Sequence, residues 1–142
     1  MVEITRFAHG YHYGDYSGVV FYGLPENGFW SDRLAASNTY ISPLFFAILD
    51  REWRESGGER TPRLVSEWNT LTGWAGCGAG IVPVSPEDAN ALLGALISLT
   101  ATDLSPHVAG CTAEECLECA SAIRDFLYAH LALEHPLFVA DD

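Results

Sequence analysis

The sequence predicts an α+β protein in which an N-terminal β-hairpin or small antiparallel sheet packs on about four α-helices. Two observations predict this fold class. The first 40 of the 142 residues are rich in aromatic and β-branched side chains interrupted by glycines, which is typical of short strands. From residue 41 onward, Ser-Pro and Thr-Pro pairs precede apolar residues at helical spacing. We therefore predict one globular domain, residues 1–142, with a β- and aromatic-rich part, 1–40, and a mainly helical part, 41–142.

Residues 2–24 predict two short strands joined by a glycine-rich connection, as a hairpin or a closely similar arrangement. Val2 and Phe7 bound the first apolar segment, and residues 19–22 (VVFY) form the second. Strands are enriched in these side chains because branched and aromatic groups pack well on a pleated surface. Residues 24–28 (LPENG) then form a turn signal.

Four predicted helices follow, and each of the first three begins at a proline preceded by Ser or Thr. The hydroxyl oxygen accepts a backbone N–H that has no partner in the first turn, and proline at that position lacks only a donor that would be unpaired. The fourth begins at Thr112, which forms a capping-box pattern with Glu115. The predicted helices cover residues 43–55, 62–75, 86–100 and 112–134.

The apolar spacing predicts the core-facing side of each helix. Phe45 and Trp53 share the inward face of the first helix, and Leu92 and Ile97 share that of the third. His135-Pro136 ends the fourth helix because proline cannot continue it. Residues 137–139 (LFV) then predict a closing strand.

The chain is acidic, and its charge is uneven. Nineteen acidic residues oppose seven arginines, with no lysine, for a net charge of −12. Residues 81–142 hold ten of the acids and a single basic residue, Arg124. This balance argues against nucleic-acid binding and against docking on anionic membranes, both of which use clustered Lys and Arg. Because the N-terminus shows no pattern of a signal peptide, we expect a cytoplasmic protein with reduced cysteines.

The acidic half and the surplus aromatic residues predict a surface that binds a basic protein. Negative potential steers a basic partner, and Tyr and Trp are enriched at interface hot spots. Solubility alone also accounts for such charge, and burial against the helices also accounts for the aromatics. The predicted partner-binding residues are Glu87, Asp88, Asp103, Glu114, Glu115, Glu118, Tyr11, Tyr13, Tyr16 and Trp30.

Cysteine and histidine spacings leave one metal hypothesis open. Cys111, Cys116 and Cys119 lie close together in sequence, with His107 upstream, so that zinc binding is one interpretation. A structural zinc site normally takes ligand pairs from separate segments, and a cysteine on a buried helix face acts as a small hydrophobic residue. The sequence contains no recognisable catalytic set, and we predict no cofactor.

Three functional hypotheses follow from these patterns. The first is a bacterial immunity or antitoxin-type inhibitor that neutralises a basic toxin or effector by direct binding; the abundance of Gly, Ala and Arg without Lys is typical of a GC-rich bacterial gene. The alternative is a small enzyme or ligand-binding protein with an aromatic and histidine-lined pocket. The third is a zinc-stabilised interaction module.

Overall fold

The predicted α+β fold class is confirmed by the computed structural model, which describes residues 2–7, 18–25, 30–68, 70, 73–75 and 80–141. Of residues 2–7, 30 and 31 it describes the backbone alone. The described residues form a sheet and a set of helices in one domain. In chain order the elements are β1 (Val2–Phe7), β2 (Gly18–Gly23), β3 (Trp30–Ser37), α1 (Asn38–Ser56), α2 (Arg63–Trp68), β4 (Val82–Val84), α3 (Pro86–Ser98), α4 (Ala101–Leu104), α5 (Ala113–Ala132) and β5 (Leu137–Asp141).

The five described strands form one sheet in the order β1-β3-β2-β5-β4. Neighbours among β3, β2, β5 and β4 pair antiparallel. Strand β1 pairs with β3 in parallel and lies at one edge of this sheet. At the other edge, β4 has three residues with Pro83 at its centre. The predicted closing strand is present as β5, between β2 and β4.

The two strands predicted within residues 2–24 exist, but they are not neighbours. Strand β2 pairs antiparallel with β3, and β3 separates β2 from β1. The sequence did not predict β3. Its alternate, core-facing positions are Asp32, Leu34 and Ala36. The first of these is charged, whereas the alternation of a half-buried strand leads one to expect an apolar residue there. The residues between β1 and β2, with the predicted glycine-rich connection, lie outside the described residues.

Helix α1 begins earlier than predicted, because Ser37 caps it instead of Ser42. The Ser37 hydroxyl accepts the Thr39 amide at 3.1 Å, and Pro43 lies inside the helix. Proline has no N–H, so Pro43 deprives the Thr39 carbonyl of its intrahelical donor. The Cys111 thiol donates to this carbonyl at 3.5 Å. The prediction that α1 starts at Pro43 was therefore wrong, and a distant side chain compensates the backbone.

The other helices follow the predicted punctuation more closely. Helix α3 begins at Pro86 behind its Ser85 cap, and α5 begins behind Thr112, which forms the expected capping box with Glu115. Helix α2 is shorter than the predicted 62–75 segment, and the four-residue α4 was not predicted.

The core lies where α1 and α5 meet the sheet. Phe21 of β2, Phe45 of α1 and Phe126 of α5 are fully buried in one apolar cluster. Among the described side chains that were predicted to face this core, two are exposed instead: Trp53 is 68% exposed and Ile97 is 59% exposed. Both lie in the last turns of their helices, where the core no longer covers that face.

Candidate functional site

Two of the predicted partner-binding acids lie at the start of α3. Glu87 is exposed, and Asp88 is half-buried with its backbone N–H bound to the Ser85 hydroxyl at 3.1 Å. The Asp88 carboxylate lies 4.0 Å from the Arg63 guanidinium. Both acids also stabilise the positively polarised end of the helix.

The remaining four predicted acids lie on α4 and on the first two turns of α5. Asp103 and Glu115 are half-buried and close the capping boxes of their helices, so each has a structural role. Glu114 and Glu118 are exposed. Asp103 also lies 3.8 Å from Arg51, which offsets part of its charge.

The structure does not bring the six acids to one surface. The start of α3 lines the same groove as the last turns of α5, so Glu87 and Glu114 lie near opposite ends of α5. Glu114 and Tyr128 are fourteen positions apart in α5, which corresponds to about 21 Å at 1.5 Å per residue. Of the predicted aromatic residues, Tyr11, Tyr13 and Tyr16 lie outside the described residues, and only the backbone of Trp30, in β3, is described.

A buried carboxylate–histidine pair joins β3 to the last turn of α5. Asp32 is 6% exposed and His130 is 5% exposed, and Oδ2 of Asp32 lies 2.8 Å from Nε2 of His130. Burying a polar group costs free energy unless the group is hydrogen-bonded. The bond between Asp32 and His130 therefore explains why both can be buried. Gly23 lies against the His130 ring, and a Cβ at that position would overlap it.

A second histidine extends this pair toward the surface. Nδ1 of His135 lies 2.9 Å from Nδ1 of His130. A helix C-cap holds it there: the His135 amide donates to the His130 carbonyl at 3.0 Å and the Glu134 amide to the Leu131 carbonyl at 3.1 Å, which is the Schellman pattern. Glu134 occupies the left-handed position of this cap, with φ of 56°.

His135 lines an open groove of about 600 Å³ between α3, α5 and the start of β5. Val84, Leu93, Leu131 and Leu137 contribute apolar walls, and the polar lining residues are Asn90, Tyr128, Glu134 and His135. Among the described lining residues none is Lys or Arg. The groove therefore offers apolar area, hydrogen-bond acceptors and one carboxylate.

Sequence reasoning missed this site, although part of its signal is local. His135 directly precedes Pro136, which marks the end of a helix, and His130 lies five residues earlier. Asp32 shares the alternation of Leu34 and Ala36, and a charge at such a position indicates a buried partner. The identity of that partner was not predictable, because Asp32 and His130 are 98 residues apart.

The cysteines form a separate cluster at the other end of α5. The Sγ atoms of Cys111 and Cys116 are 3.4 Å apart, and Cys119 is fully buried beside them. Burial raises the pKa of the Cys119 thiol to about 12. Burial, and then the hydrogen bond with Cys111, also raises the pKa of Cys116. Such thiols stay protonated and are poor nucleophiles and metal ligands.

The structure does not assemble the predicted zinc ligands. His107 lies 3.9 Å from Asp50 of α1, whereas Cys111 contacts Thr39 near the beginning of that helix. Thr39 and Asp50 are eleven positions apart in α1, which corresponds to about 16 Å along the helix. Within the described ranges, no group of three or more His, Cys, Asp or Glu side chains is arranged to hold a metal ion. Cys77 lies outside those ranges.

Comparison with known proteins adds no relative: no family model, no curated protein and no solved structure matches this chain. Among the described helices, none has both the length and the apolar character needed to cross a bilayer.

Proposed function

We propose that this protein is an acidic inhibitor of the bacterial immunity or antitoxin type, which binds a basic toxin or effector directly in the cytoplasm. The observation that supports this proposal best is Tyr128, which is 68% exposed at the edge of the groove. Exposed Leu133 and the carboxylate of Glu134 flank the groove on the same end of α5. An aromatic side chain among acidic groups is the arrangement that anchors a basic partner.

Electrostatics favours the acidic margins of the groove, on α3 and on the last turns of α5, as the rim of this interface. Glu87 follows groove-lining Pro86 and is exposed, and Asp125 lies one turn before Tyr128 on α5. Carboxylates in such a rim accelerate association with a basic protein and reject acidic competitors. Each contributes little affinity alone, so Tyr128 is the expected hot spot.

The experiment mixes the protein with the basic toxins encoded beside its gene and follows complex formation by size exclusion and calorimetry. We expect Tyr128→Ala to weaken the complex about 30-fold, corresponding to about 2 kcal/mol. Trp53→Ala is the matched control, because Trp53 is equally exposed but lies on α1, away from the groove. Absence of any complex at low salt would contradict the proposal, and equal losses in the two variants would contradict the assignment of the face.

Charge reversal distinguishes the acids beside the groove from the acids at the start of α5. We expect the pair Glu87→Lys and Glu134→Lys to slow association, and the pair Glu114→Lys and Glu118→Lys to change it little. The difference should shrink as salt is raised, because screening weakens interactions between exposed charges.

A second candidate function is supported by the histidine in the groove. Ligand sites are concave and largely apolar, with a few placed polar groups, and the groove at His135 has this composition. A small enzyme or ligand-binding protein is therefore the alternative proposal. It places the ligand among residues of α3, α5 and the segment before β5, whereas the sequence predicted a pocket in the N-terminal half.

A further inference from the structure

The three groups Asp32, His130 and His135 form one continuous line of hydrogen bonds from the core to the groove. The two bonds are 2.8 Å and 2.9 Å long, and each imidazole takes part through ring nitrogen atoms. The inner members are almost fully buried, whereas His135 is half-buried on the groove wall. A line of this kind connects a surface atom to a buried charge.

With the carboxyl ionised and both imidazoles neutral, the chemistry of the groups defines where the protons lie. An ionised carboxylate can only accept, so Asp32 accepts the Nε2–H of His130. A neutral imidazole carries one N–H, so Nδ1 of His130 is then an acceptor and the Nδ1–H of His135 donates to it. Nε2 of His135 is left with a lone pair, and it has no hydrogen-bond partner among the described residues.

We propose that these residues form a proton relay whose outer end, Nε2 of His135, accepts a proton from a small molecule bound in the groove. When Nε2 takes the proton, the Nδ1 proton of His135 passes to Nδ1 of His130. His130 then carries the positive charge and holds it against the Asp32 carboxylate. One proton enters and the ligand becomes its conjugate base, so charge is balanced and no oxidant or metal is needed.

The lining of the groove defines the class of ligand. Apolar side chains from Val84, Leu93 and Leu131 favour an aromatic or aliphatic body. Glu134 and the lack of Lys or Arg among the described lining residues disfavour a ligand that is already an anion when free, whereas the charge of a conjugate base formed in the groove is offset by the proton that the relay holds at His130. The ligand is therefore a largely apolar molecule, neutral or cationic when free, that carries an acidic O–H or N–H group.

Gly23 and the C-cap of α5 keep this line in register. A side chain at Gly23 would displace the His130 ring, and the Schellman bonds fix the His135 backbone relative to His130. The Leu24 amide also donates to the Pro136 carbonyl at 2.9 Å, which ties the segment to β2. Catalytic and binding groups act well when their orientation is fixed before the ligand arrives.

This inference rests on the second proposed function, ligand binding in the groove. Two probe molecules distinguish a failure of the relay from a failure of ligand binding. 4-Nitrophenol has the required proton and changes colour on losing it, whereas 4-nitroanisole has the same ring with a methyl group in place of that proton. The titration is done at about pH 6.5, the ordinary imidazole pKa, where free 4-nitrophenol is still mainly protonated. We expect both probes to bind there, and bound 4-nitrophenol to show more nitrophenolate absorbance than the free probe.

Two variants test the relay itself. His135→Gln removes the accepting nitrogen, so we expect loss of the nitrophenolate absorbance and about 10- to 100-fold weaker binding of 4-nitrophenol. His130→Gln can donate to Asp32 and accept from His135 but cannot carry the additional proton. We therefore expect it to bind 4-nitrophenol without the change of colour, while circular dichroism and thermal unfolding verify its fold.

Each remaining outcome overturns a defined statement. Binding of both probes without nitrophenolate absorbance overturns the relay and leaves ligand binding in place. Failure of both probes to bind overturns the relay and the ligand-binding function together. Nitrophenolate absorbance in His130→Gln equal to that of the natural protein overturns the relay, because His135 would then act alone.

Discussion

The two ends of helix α5 bury polar groups in different ways. At the first end, Cys111, Cys116 and Cys119 lie beside Tyr40, and burial raises the pKa of the Tyr40 phenol as well as that of Cys116 and Cys119. At the last end, Asp32 and His130 bury ionisable groups that bond each other and, through His135, reach the groove.

This comparison shows which buried polar groups only support the fold and which can also contact a bound molecule. Burial keeps the Cys116 and Cys119 thiols protonated, and Cys111 donates to the Thr39 carbonyl that Pro43 leaves without an intrahelical donor. The histidine line instead ends at His135, a half-buried residue that lines a concave surface. Burial is similar at the two ends, so access to a groove, and not burial, distinguishes the candidate site.

The largest expected effect is at the last end of α5. His130→Ala removes the donor to a buried carboxylate and leaves a cavity, and we expect it to lower the free energy of unfolding by about 3–5 kcal/mol. Urea denaturation at neutral pH measures this loss. His107→Ala is the matched control, since His107 also lies near an aspartate but is only half-buried, and we expect less than about 1 kcal/mol.

A loss in His130→Ala no greater than that in His107→Ala would contradict the account of the Asp32–His130 pair. In that case the thiol cluster would remain a structural feature, and the groove would have no buried pair that holds His135 in place.

The thiol end should give an intermediate effect that depends on pH. Burial raises the folded pKa of Cys116 and Cys119 above the unfolded value, so the unfolded chain loses these protons first as pH rises. Stability from these groups is therefore complete below about pH 8.5, the ordinary thiol pKa, and falls above it. We expect a loss of about 1.4 kcal/mol per pH unit for each thiol.

Urea denaturation at a series of pH values from neutral to alkaline checks this slope. Cys119→Ala provides the control, because removing one thiol should reduce the slope by about half although it also lowers stability at neutral pH. An unchanged slope in Cys119→Ala would show that other groups cause the alkaline loss.

The smallest expected effect is a gain in stability at Glu134. Its backbone has φ of 56°, a left-handed conformation that glycine adopts without penalty. We expect Glu134→Gly to raise the free energy of unfolding by about 0.5–1 kcal/mol. Thermal unfolding measures the gain, and Glu134→Ala, which keeps a Cβ, should show none.

The parts of the fold that were predictable from sequence depend on local chemistry. Thr112 and Glu115 predicted the start of α5 because both partners of a capping box lie within one turn. Residues 137–139 predicted β5 because proline ends the helix just before an apolar segment. Exposed Glu87 and Glu114 were also identified, but their separation by most of α5 depends on how α3 packs.

The parts that were not predictable depend on distant compensation. Ser42-Pro43 has the pattern of a helix start, and the Cys111 thiol, which is distant in sequence, shows why the proline is tolerated inside α1. Asp32 obscured β3 because its partner, His130, comes from the other end of the chain. The histidine site required a left-handed Glu134, a conformation that glycine, not glutamate, predicts.

The two margins of the sheet have different consequences for self-association. Strand β4 is short and has proline at its centre, so it provides a poor template for an additional strand from a neighbouring molecule. Backbone pairing with a neighbouring molecule, as in a fibril, is therefore disfavoured at β4. Among the described strands, β1 is the one at which another strand could be added to the sheet.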